Sequence, residues 1–383
     1  MTSASALLPL WNRAAEWARR LAMIRDARAF VYLSTFYIEY DAYGRELLSA
    51  LLSAQRRGVA VNLLVDAFGQ RLGGVLMSPE QRTALARELR ALRAAGGIVT
   101  LYRPPRMMQR QLGGGQHVKI QVSEAGEAIF GSSNITKSSF DGWNEYAVAV
   151  RGPVARTLLE SYRAIGGSVD RAHLDRLDAI ANDAPADHAL DYWLCNPNTL
   201  QGRLGPIGWR GRNEVTDRLI DAIDAARTSL RITSFYFKPV TPLLDALLRA
   251  AGRGVGIEVF HSHRDALPAT DLAWIAAAVN YDRLLDAGVI LYENLRGEHS
   301  KIVVVDGSWA AFGSYNFEDA AHDRLAEAML ISRDRRAVEP ALDIFDELRA
   351  SPDNLRVTPD TFSRLPARVK TRIYRYGRFK RWM

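Results

Sequence analysis

The chain repeats itself, and this internal duplication limits the possible folds more than any other feature of its 383 residues. "RAFVYLSTFYI" from Arg28 is matched by "RTSLRITSFYF" from Arg227. "RRGVAVNLLVD" from Arg56 is likewise matched by "GRGVGIEVFHS" from Gly252. Similarity in a fixed order indicates a structure built from repeated units. Each copy alternates amphipathic helices with short apolar strands, which predicts an α/β sandwich in each half.

The repeats predict how the chain is divided. We expect a first lobe over residues 1–180 and a second over 213–360. The intervening 181–212 is rich in Asp, Asn, Pro and Gly and has no sustained periodicity, so it is the predicted linker. Residues 361–383 form a separate basic and aromatic tail.

Cysteine content and hydropathy restrict the setting of the protein. Cys195 is the single cysteine, so neither an intrachain disulfide nor a cysteine cluster for zinc can form. No stretch of 18 apolar residues is present, and the first residues do not have the pattern of a secretion signal. We therefore expect a cytoplasmic protein that is soluble or peripheral on the inner face of the membrane.

The net charge of +7 resides in the tail. The last 20 residues hold eight Lys/Arg and no acid, which leaves 42 basic against 43 acidic residues elsewhere. Cations interleaved with aromatic rings suit an anionic lipid surface, where each cation gains about 1 kcal/mol. A solvated helix, an arm packed on the body and a nucleic-acid contact are the alternatives. The predicted membrane-binding residues are Arg372, Arg375, Arg378, Lys380, Arg381 and Trp382.

One segment of each copy aligns without a gap for 29 residues, His117–Glu145 with His299–Glu327. Eleven positions are identical, where chance would give roughly two. The shared residues include polar ones at fixed distances from the histidine. Lysine follows at +2, a carboxylate at +7, Gly-Ser at +14 and +15, Asn at +17 and Glu at +28. Apolar repetition alone would not preserve this polar set.

The shared polar residues suit chemistry on a phosphate. Each histidine and its lysine lie on the same face of a strand, so a nucleophile or proton carrier stands beside a cation. Gly-Ser-x-Asn supplies hydroxyl, amide and backbone donors for phosphate oxygens. The later glutamates would accept from the second imidazole nitrogen and fix the tautomer of each ring. With two lysines at the phosphate, no metal or other cofactor is expected.

These residues resemble the phospholipase D superfamily, whose signature is H-x-K-x4-D followed by G-S-x-N, present twice per active site. "HSKIVVVD…FGSYN" fits completely, whereas "HVKIQVSE…FGSSN" has Glu124 in place of the aspartate. The resemblance spans nearly the whole chain and is closest to the cardiolipin synthase-like branch. It implies two tandem α/β/α lobes, related by a pseudo-twofold axis, with a single active site at their interface.

The resemblance also implies roles for the shared residues. One histidine forms a phosphohistidine and the other moves protons; spacing does not decide between them, and we favour His117 as the nucleophile. The expected motif carboxylates, Glu124 and Asp306, lie away from the phosphate. The predicted catalytic residues are His117, Lys119, Glu145, His299, Lys301 and Glu327, and the predicted phosphate-binding residues are Ser132, Asn134, Ser314 and Asn316.

Three functions are compatible with this pattern. The first is a phospholipase D or phosphatidyltransferase acting on glycerophospholipid. The expected reaction is cardiolipin synthase-like, with phosphatidylglycerol or another alcohol as acceptor. The second is a phosphodiesterase acting on nucleic acid, which the neutral body of the chain disfavours. The third is a lipid-binding protein without activity. The loop "RPPRMMQRQLGGGQ" ahead of His117 either receives an acidic headgroup and acyl chains or is a solvated loop.

Overall fold

The computed structural model describes residues 1–183, 186–199, 204–205, 208–209, 212–268, 270–377 and 379. The first half of the chain contains β1 Thr2–Ala4, β2 Ala6–Leu10, α1 Arg13–Asp26, β3 Phe30–Thr35, α2 Ala42–Arg56, β4 Ala60–Asp66, α3 Ala67–Leu76, α4 Pro79–Ala94, β5 Ile98–Tyr102, α5 Met107–Gln111, β6 Gly115–Gln116, β7 Lys119–Ser123, β8 Glu127–Gly131, β9 Ala147–Arg151, α6 Pro153–Ala164 and α7 Arg171–Asp183.

The second half repeats this order of elements. It contains β10 His188–Cys195, β11 Leu204–Gly205, β12 Gly208–Trp209, α8 Glu214–Ala225, β13 Ser229–Ser234, α9 Thr241–Gly252, β14 Gly256–Ser262, α10 Leu272–Ala278, α11 Tyr281–Asp286, β15 Ile290–Asn294, β16 Ile302–Val305, β17 Trp309–Gly313, α12 Asp319–Asp323, β18 Leu325–Ser332, α13 Arg335–Ala350, β19 Asn354–Val357, α14 Pro359–Ser363 and α15 Ala367–Tyr376.

Each half builds one mixed sheet with the same strand order. The first sheet runs β2-β9-β8-β7-β3-β4-β5. The second contains β10-β18-β17-β16-β13-β14-β15, flanked by β1 and β19. In each, a parallel trio such as β3-β4-β5 is joined to antiparallel strands that carry the histidine motif. The predicted fold, two tandem α/β lobes, is confirmed.

Two strands cross the predicted domain limits. β10 lies inside the predicted linker, yet it pairs with β18 in the place that β2 takes beside β9. β1 comes from the start of the chain and pairs with β10, in the second sheet. Apolar residues of β10, such as Leu190 and Trp193, are buried, which explains why so polar a segment still forms a strand. We propose that the second lobe begins at β10 and not at residue 213.

The lobes share a continuous core along their contact. One cluster of buried side chains joins Phe130 and Tyr146 of the first lobe to Phe312 and Ala328 of the second. The contact is close: a Cβ added at Gly313 of the second lobe would lie 3.0 Å from the Phe130 ring of the first. Because protein interiors are close-packed, the two lobes act as one body at this seam. No helix in the described part of the chain is long and apolar enough to span a membrane.

Candidate active site

The two histidine segments have the same local structure in both lobes. Each histidine lies two or three residues before the first strand of an antiparallel hairpin, β7-β8 or β16-β17. The lysine two residues later turns back on the histidine it follows. Lys119 Nζ donates to the carbonyl oxygen of His117 at 2.7 Å, and Lys301 Nζ to that of His299 at 2.5 Å. The Lys-at-+2 spacing thus holds a cation beside each imidazole.

Backbone hydrogen bonds between the lobes bring each histidine to the glutamate of the other copy. The amide of His117 donates to the carbonyl oxygen of Ala326 at 2.9 Å, and β6 pairs with the start of β18. Reciprocally, the amide of His299 donates to Asn144 at 2.8 Å. Ala326 and Asn144 each precede one of the later glutamates, so the pairing across the lobes sets the site.

Each histidine lies against the later glutamate of the other lobe. His299 Nδ1 lies 2.8 Å from Glu145 Oε2, and His117 Nδ1 lies 3.0 Å from Glu327 Oε1. Both glutamates are fully buried, and the histidine side chains are 6% and 5% exposed. Nδ1 of His299 faces the Glu145 carboxylate, and Nδ1 of His117 faces the Ser314 carbonyl oxygen at 3.2 Å. With Nδ1 as the donor, the free electron pair of each neutral ring lies on Nε2. Each ring therefore presents a nucleophile or base.

Glu145 is held in its ionised form. Its carboxylate accepts from Ser132 Oγ at 2.5 Å, Ser139 Oγ at 2.6 Å and His299 Nδ1. Burial opposes ionisation, but the hydrogen bonds from His299 and Ser132 and the charge of Lys301 outweigh it and bring the pKa of Glu145 down to about 2. Burial lowers the pKa of His299 to about 3, so we describe this pair as a neutral imidazole donating to a carboxylate.

Glu327 is less well supplied with donors. Ser314 Oγ donates to its Oε2, as Ser132 does to Glu145. Its Oε1 lies 3.0 Å from His117 Nδ1 but accepts no well-aligned hydrogen bond from the described residues, and that Nδ1 is also 3.2 Å from the Ser314 carbonyl oxygen. Burial raises the pKa of Glu327 to about 8. The residue equivalent to Ser139 is Ala321, which explains the missing donor.

The cations of the site are also destabilised by burial. Burial lowers the pKa of Lys301 to about 8, against the opposing effect of Glu145 and Glu327. The pKa values of Lys119 and His117 are lowered well below their usual range, first by burial and then, for His117, by the two lysines. An anion such as a phosphodiester, bound among these groups, would favour the charged form of the lysines.

Aromatic rings that the sequence analysis did not single out support the imidazoles. The Phe36 ring meets His117 edge-on at 4.8 Å, and Phe235 meets His299 at 4.6 Å. Each phenylalanine also lies under a lysine, with Lys119 Nζ 5.6 Å and Lys301 Nζ 5.9 Å from the ring centres. The repeated "TFY" and "SFY" in the first strands of the two copies were the available signal.

Trp143 and Glu298 were missed as well, because they have no identical partner in the other copy. Trp143 stacks on His299 with ring centres 4.9 Å apart. Gly297 (φ 110°) allows this approach, since its Cβ would stand 2.3 Å from that indole. Asn144 Nδ2 donates to Glu298 at 2.9 Å, which is a further bond between the lobes.

The predicted phosphate-binding residues lie beside the histidines and glutamates, and all are buried. The hydroxyls of Ser132 and Ser314 donate to the glutamates. Asn316 Oδ1 accepts from the Phe235 amide at 3.3 Å. Asn134 Oδ1 accepts from Thr35 Oγ1 at 3.5 Å, and the backbone N–H of Asn134 donates to Ser139 Oγ at 3.2 Å. That these four residues bind phosphate stays a prediction.

The motif carboxylates are not in the site. Asp306 accepts from the backbone amides of Arg227, Thr228 and Ser229, at 2.7–3.1 Å, and so secures the turn before β13. Glu124 accepts in the same way from Arg28 at 2.5 Å and Phe30 at 3.3 Å. The extra methylene of Glu124 is therefore accommodated at a turn, away from the reacting groups.

The tail is placed only in part. Its helix α15 packs through the buried residues Val369 and Ile373, and Arg372 makes two hydrogen bonds to Asp271 at 2.7 and 2.8 Å. Arg375 is exposed. The predicted membrane-binding residues Arg378, Lys380, Arg381 and Trp382 lie outside the described residues. This first part of the tail thus resembles the packed arm that the sequence left open.

Two lobes that each supply a His-Lys pair and a buried glutamate to one site define an enzyme of the phospholipase D type. The family described as "Cardiolipin synthase, PLD-like domain" matches residues 21–164 and 219–349. The chain therefore belongs to this family.

Individual relatives agree with this assignment. "Cardiolipin synthase B" of Salmonella typhi is 29% identical over 325 residues, covering 82% of this chain and 72% of that protein. "Cardiolipin synthase B" of Escherichia coli (strain K12) is 27% identical over 332 residues, with the same coverage. The crystal structure of phosphatidylserine synthase from Haemophilus influenzae Rd KW20 covers 100% of this chain and 97% of its own, with a TM-score of 0.74 and 14% identity. That likeness shows the fold.

Proposed function

We propose that the protein transfers a phosphatidyl group from one glycerophospholipid to an alcohol, such as the glycerol headgroup of phosphatidylglycerol, which would make cardiolipin. The reciprocal pairing of His299 with Glu145 and His117 with Glu327 carries the proposal. Because Nδ1 of each histidine faces a glutamate, the two Nε2 atoms are free to act on one phosphodiester, and a lysine lies beside each ring. Membership of the cardiolipin synthase family supports the lipid substrate.

The proposed reaction has two steps. Nε2 of one histidine, for which we favour His117, attacks phosphorus; a P–N bond forms, and the P–O bond to the departing alcohol breaks. The other imidazole, protonated on Nε2, gives that proton to the alcohol. The acceptor alcohol then gives its proton to this imidazole and attacks phosphorus, and the P–N bond breaks. Water in place of the acceptor would give phosphatidic acid.

The electrostatics of the site support the timing of these proton transfers. The pKa of His299 is low in the free protein, mainly because the ring is buried. A bound phosphodiester anion favours the protonated ring, since an opposite charge nearby raises the pKa of an imidazole. The general acid is then formed only when substrate is present. Lys119 and Lys301 would balance the charge that develops on the phosphoryl oxygens.

We further propose that the reaction takes place at the inner membrane face, with cations of the tail in contact with anionic lipid. Arg368 and Arg375 are exposed on α15, whereas Arg372 is bonded to Asp271. Replacing Arg378, Lys380 and Arg381 with Gln should weaken binding to anionic vesicles, and more salt should reduce the difference. Equal binding by both proteins would refute this role.

The experiment for the proposed function uses purified protein and vesicles of defined lipid. With phosphatidylglycerol alone, mass spectrometry should detect cardiolipin, and with added deuterated glycerol it should detect phosphatidylglycerol of higher mass. His117→Ala and His299→Ala should each abolish the product, and acid-labile phosphate on the wild type should mark the covalent intermediate. Absence of any new lipid would refute the proposal. Cleavage of plasmid or single-stranded DNA in EDTA would favour the nuclease alternative instead.

A further inference from the structure

Helix α3 has its small residues inside and its large apolar residues outside. Gly69 and Gly73 face the protein and are buried. On the opposite side, Leu72, Val75 and Leu76 are 46%, 71% and 40% exposed. A surface helix normally turns its apolar stripe to the core. The reversed arrangement leaves an apolar row at spacings of three and four residues, which is typical of a surface that binds a partner.

The glycines press α3 against the aromatic support of the active site. A Cβ at Gly69 would lie 2.4 Å from the Phe36 carbonyl oxygen, and one at Gly73 would lie 2.4 Å from the Tyr37 ring. Phe36 in turn contacts His117. The apolar row therefore lies on the outer side of a helix whose inner side touches the residues next to the nucleophile.

Helix α5 adds two more exposed apolar side chains at the same end of the lobe. Met107 and Met108 are 71% and 48% exposed. Gln109 of the same helix is buried, and its side chain donates to the Asn198 carbonyl oxygen at 3.1 Å. Asn198 Nδ2 in turn donates to the Gly115 carbonyl oxygen at 2.7 Å, two residues before His117, so α5 is linked to the segment that carries this histidine.

The two helices are joined through Phe68. A Cβ at Gly113 would lie 3.0 Å from the Phe68 ring of α3, so the segment that leads to His117 also contacts α3. We call the five exposed side chains on these two helices the apolar ridge: Leu72, Val75, Leu76, Met107 and Met108. Since α3 and α5 both contact residues 113–116, the ridge flanks the chain that carries the histidine.

The segments that carry the apolar ridge bear charge of one sign. Residues 67–79 and 89–123 contain no Asp or Glu. Arg71, Arg103, Arg106 and Arg110 are all exposed on α3 or around α5. Exposed apolar side chains with arginines beside them match the surface of an anionic bilayer, where acyl chains lie beneath a layer of anionic headgroups. A second copy of this surface would bring arginines against arginines.

The corresponding region of the second lobe is covered. There the connection between β14 and β15 includes α10, and α15 of the tail packs against it with Val369 and Ile373 buried. In the first lobe, no described element covers the exposed face of α3 in this way. The corresponding surface is therefore covered by a helix of the same chain in the second lobe, whereas in the first lobe the outer face of α3 is open to a partner.

We propose that the apolar ridge inserts into the surface of a bilayer that contains anionic phospholipid and so places the active site against its substrate. The inference rests on the proposed function for the identity of the substrate. The binding surface itself rests on the exposure of α3 and α5 and on the arginines. It is separate from the basic tail, which is attached to the other lobe.

The test compares Leu72→Asp/Val75→Asp with the wild type and with Leu8→Asp. Leu8 is 54% exposed on β2. It serves as the matched control, because β2 is one edge of the first sheet whereas α3 follows β4, near the opposite edge. Flotation with vesicles containing phosphatidylglycerol should show about tenfold weaker binding by the double variant, because two apolar contacts are replaced by charges that anionic lipid repels. Leu8→Asp should bind like the wild type.

Activity measurements on two forms of the substrate distinguish a defect in membrane binding from a defect in catalysis. On a short-chain phosphatidylglycerol dissolved as monomers, the double variant should keep wild-type turnover, whereas on vesicles it should lose activity in proportion to binding. If the charged variant does not fold, Leu72→Ser/Val75→Ser gives the same comparison with a smaller expected loss.

Three results would bear on the proposal in different ways. Wild-type vesicle binding by a folded double variant would overturn it. So would a change from dimer to monomer with unchanged vesicle binding, which would make the ridge an interface between copies. Ridge-dependent vesicle binding without lipid transfer by the wild type would support the docking surface and refute the proposed function instead.

Discussion

His299 and Glu145 are 154 residues apart in the chain and belong to different lobes, yet Nδ1 and Oε2 lie 2.8 Å apart. The pairing of His117 with Glu327 repeats this exchange at 3.0 Å. Each lobe therefore orients the imidazole of the other. A rotation or separation of the lobes would disturb both histidines at once, so the proposed chemistry would depend on the shared core along the seam.

The first prediction concerns this exchange. Glu145→Gln keeps the size of the side chain but replaces a charged acceptor with an amide, which should reduce kcat on the order of 10³-fold with little change in KM. Steady-state kinetics on lipid vesicles would measure this. Glu160→Gln is the control, because that carboxylate is 39% exposed on α6 and lies outside the site. A Glu145→Gln enzyme with normal kcat would contradict the orienting role.

How much of this site was available from the sequence depends on the residue. His117, Lys119 and their copies could be recognised because identical side chains recur at identical distances. The exchange of glutamates could not, because the same 28-residue spacing is compatible with a histidine paired within its own lobe. It is decided by backbone bonds such as His117 to Ala326, between segments 209 residues apart.

Two other features escaped for different physical reasons. β10 was hidden in a polar segment, because its buried residues, His188, Leu190, Trp193 and Cys195, do not follow a strict alternation. The apolar residues of α3 were part of a periodic helix in the sequence, and nothing in the periodicity shows which side faces outward. The glycines decide it, since only they fit against Phe36 and Tyr37.

The second prediction uses a difference between the copies. Ala321→Ser should give Glu327 the donor that Ser139 gives Glu145, and should lower the pKa of Glu327 by about 1 to 2, because a hydrogen bond to the ionised form favours it. Isotope-edited infrared titration of the carboxyl band would detect this. Ser139→Ala should shift the pKa of Glu145 upward. If neither pKa moves, hydroxyl donation does not explain the difference.

The third prediction concerns stability against pH. The pKa of Glu327 is raised to about 8 in the folded protein, above the usual 4.5, so the folded state holds this proton more tightly than the unfolded chain. Its contribution to stability is fully present below about pH 4.5 and is lost as the pH rises through about 8. Glu327→Gln removes the titration.

The measurement is the free energy of unfolding of the wild type minus that of Glu327→Gln, from urea denaturation at several pH values. This difference should fall with rising pH by up to about 1.4 kcal/mol per pH unit between about pH 5 and 8. Taking the difference removes the opposing titration of the buried histidines. For Glu160→Gln the difference should not depend on pH in this range. A flat profile for Glu327→Gln would contradict the raised pKa.

The fourth prediction separates the motif carboxylates from the chemistry. Asp306 accepts from three successive backbone amides and from Thr228 Oγ1, at a residue with φ 51°. Asn tolerates this backbone conformation, so Asp306→Asn removes mainly the charge on the acceptor. It should lower the free energy of unfolding by about 1 to 2 kcal/mol and leave kcat unchanged well below the Tm.

Glu124→Gln provides the comparison within the same chain. Glu124 accepts from two backbone amides and not three, so its replacement should cost less stability than Asp306→Asn. Thermal melts rank the two variants, and kcat measured at low temperature tests both for a catalytic role. If Asp306→Asn lost kcat as Glu145→Gln is expected to, with an unchanged Tm, the motif carboxylate would belong to the reaction. The geometry predicts the reverse, because its oxygens are bonded to the turn before β13.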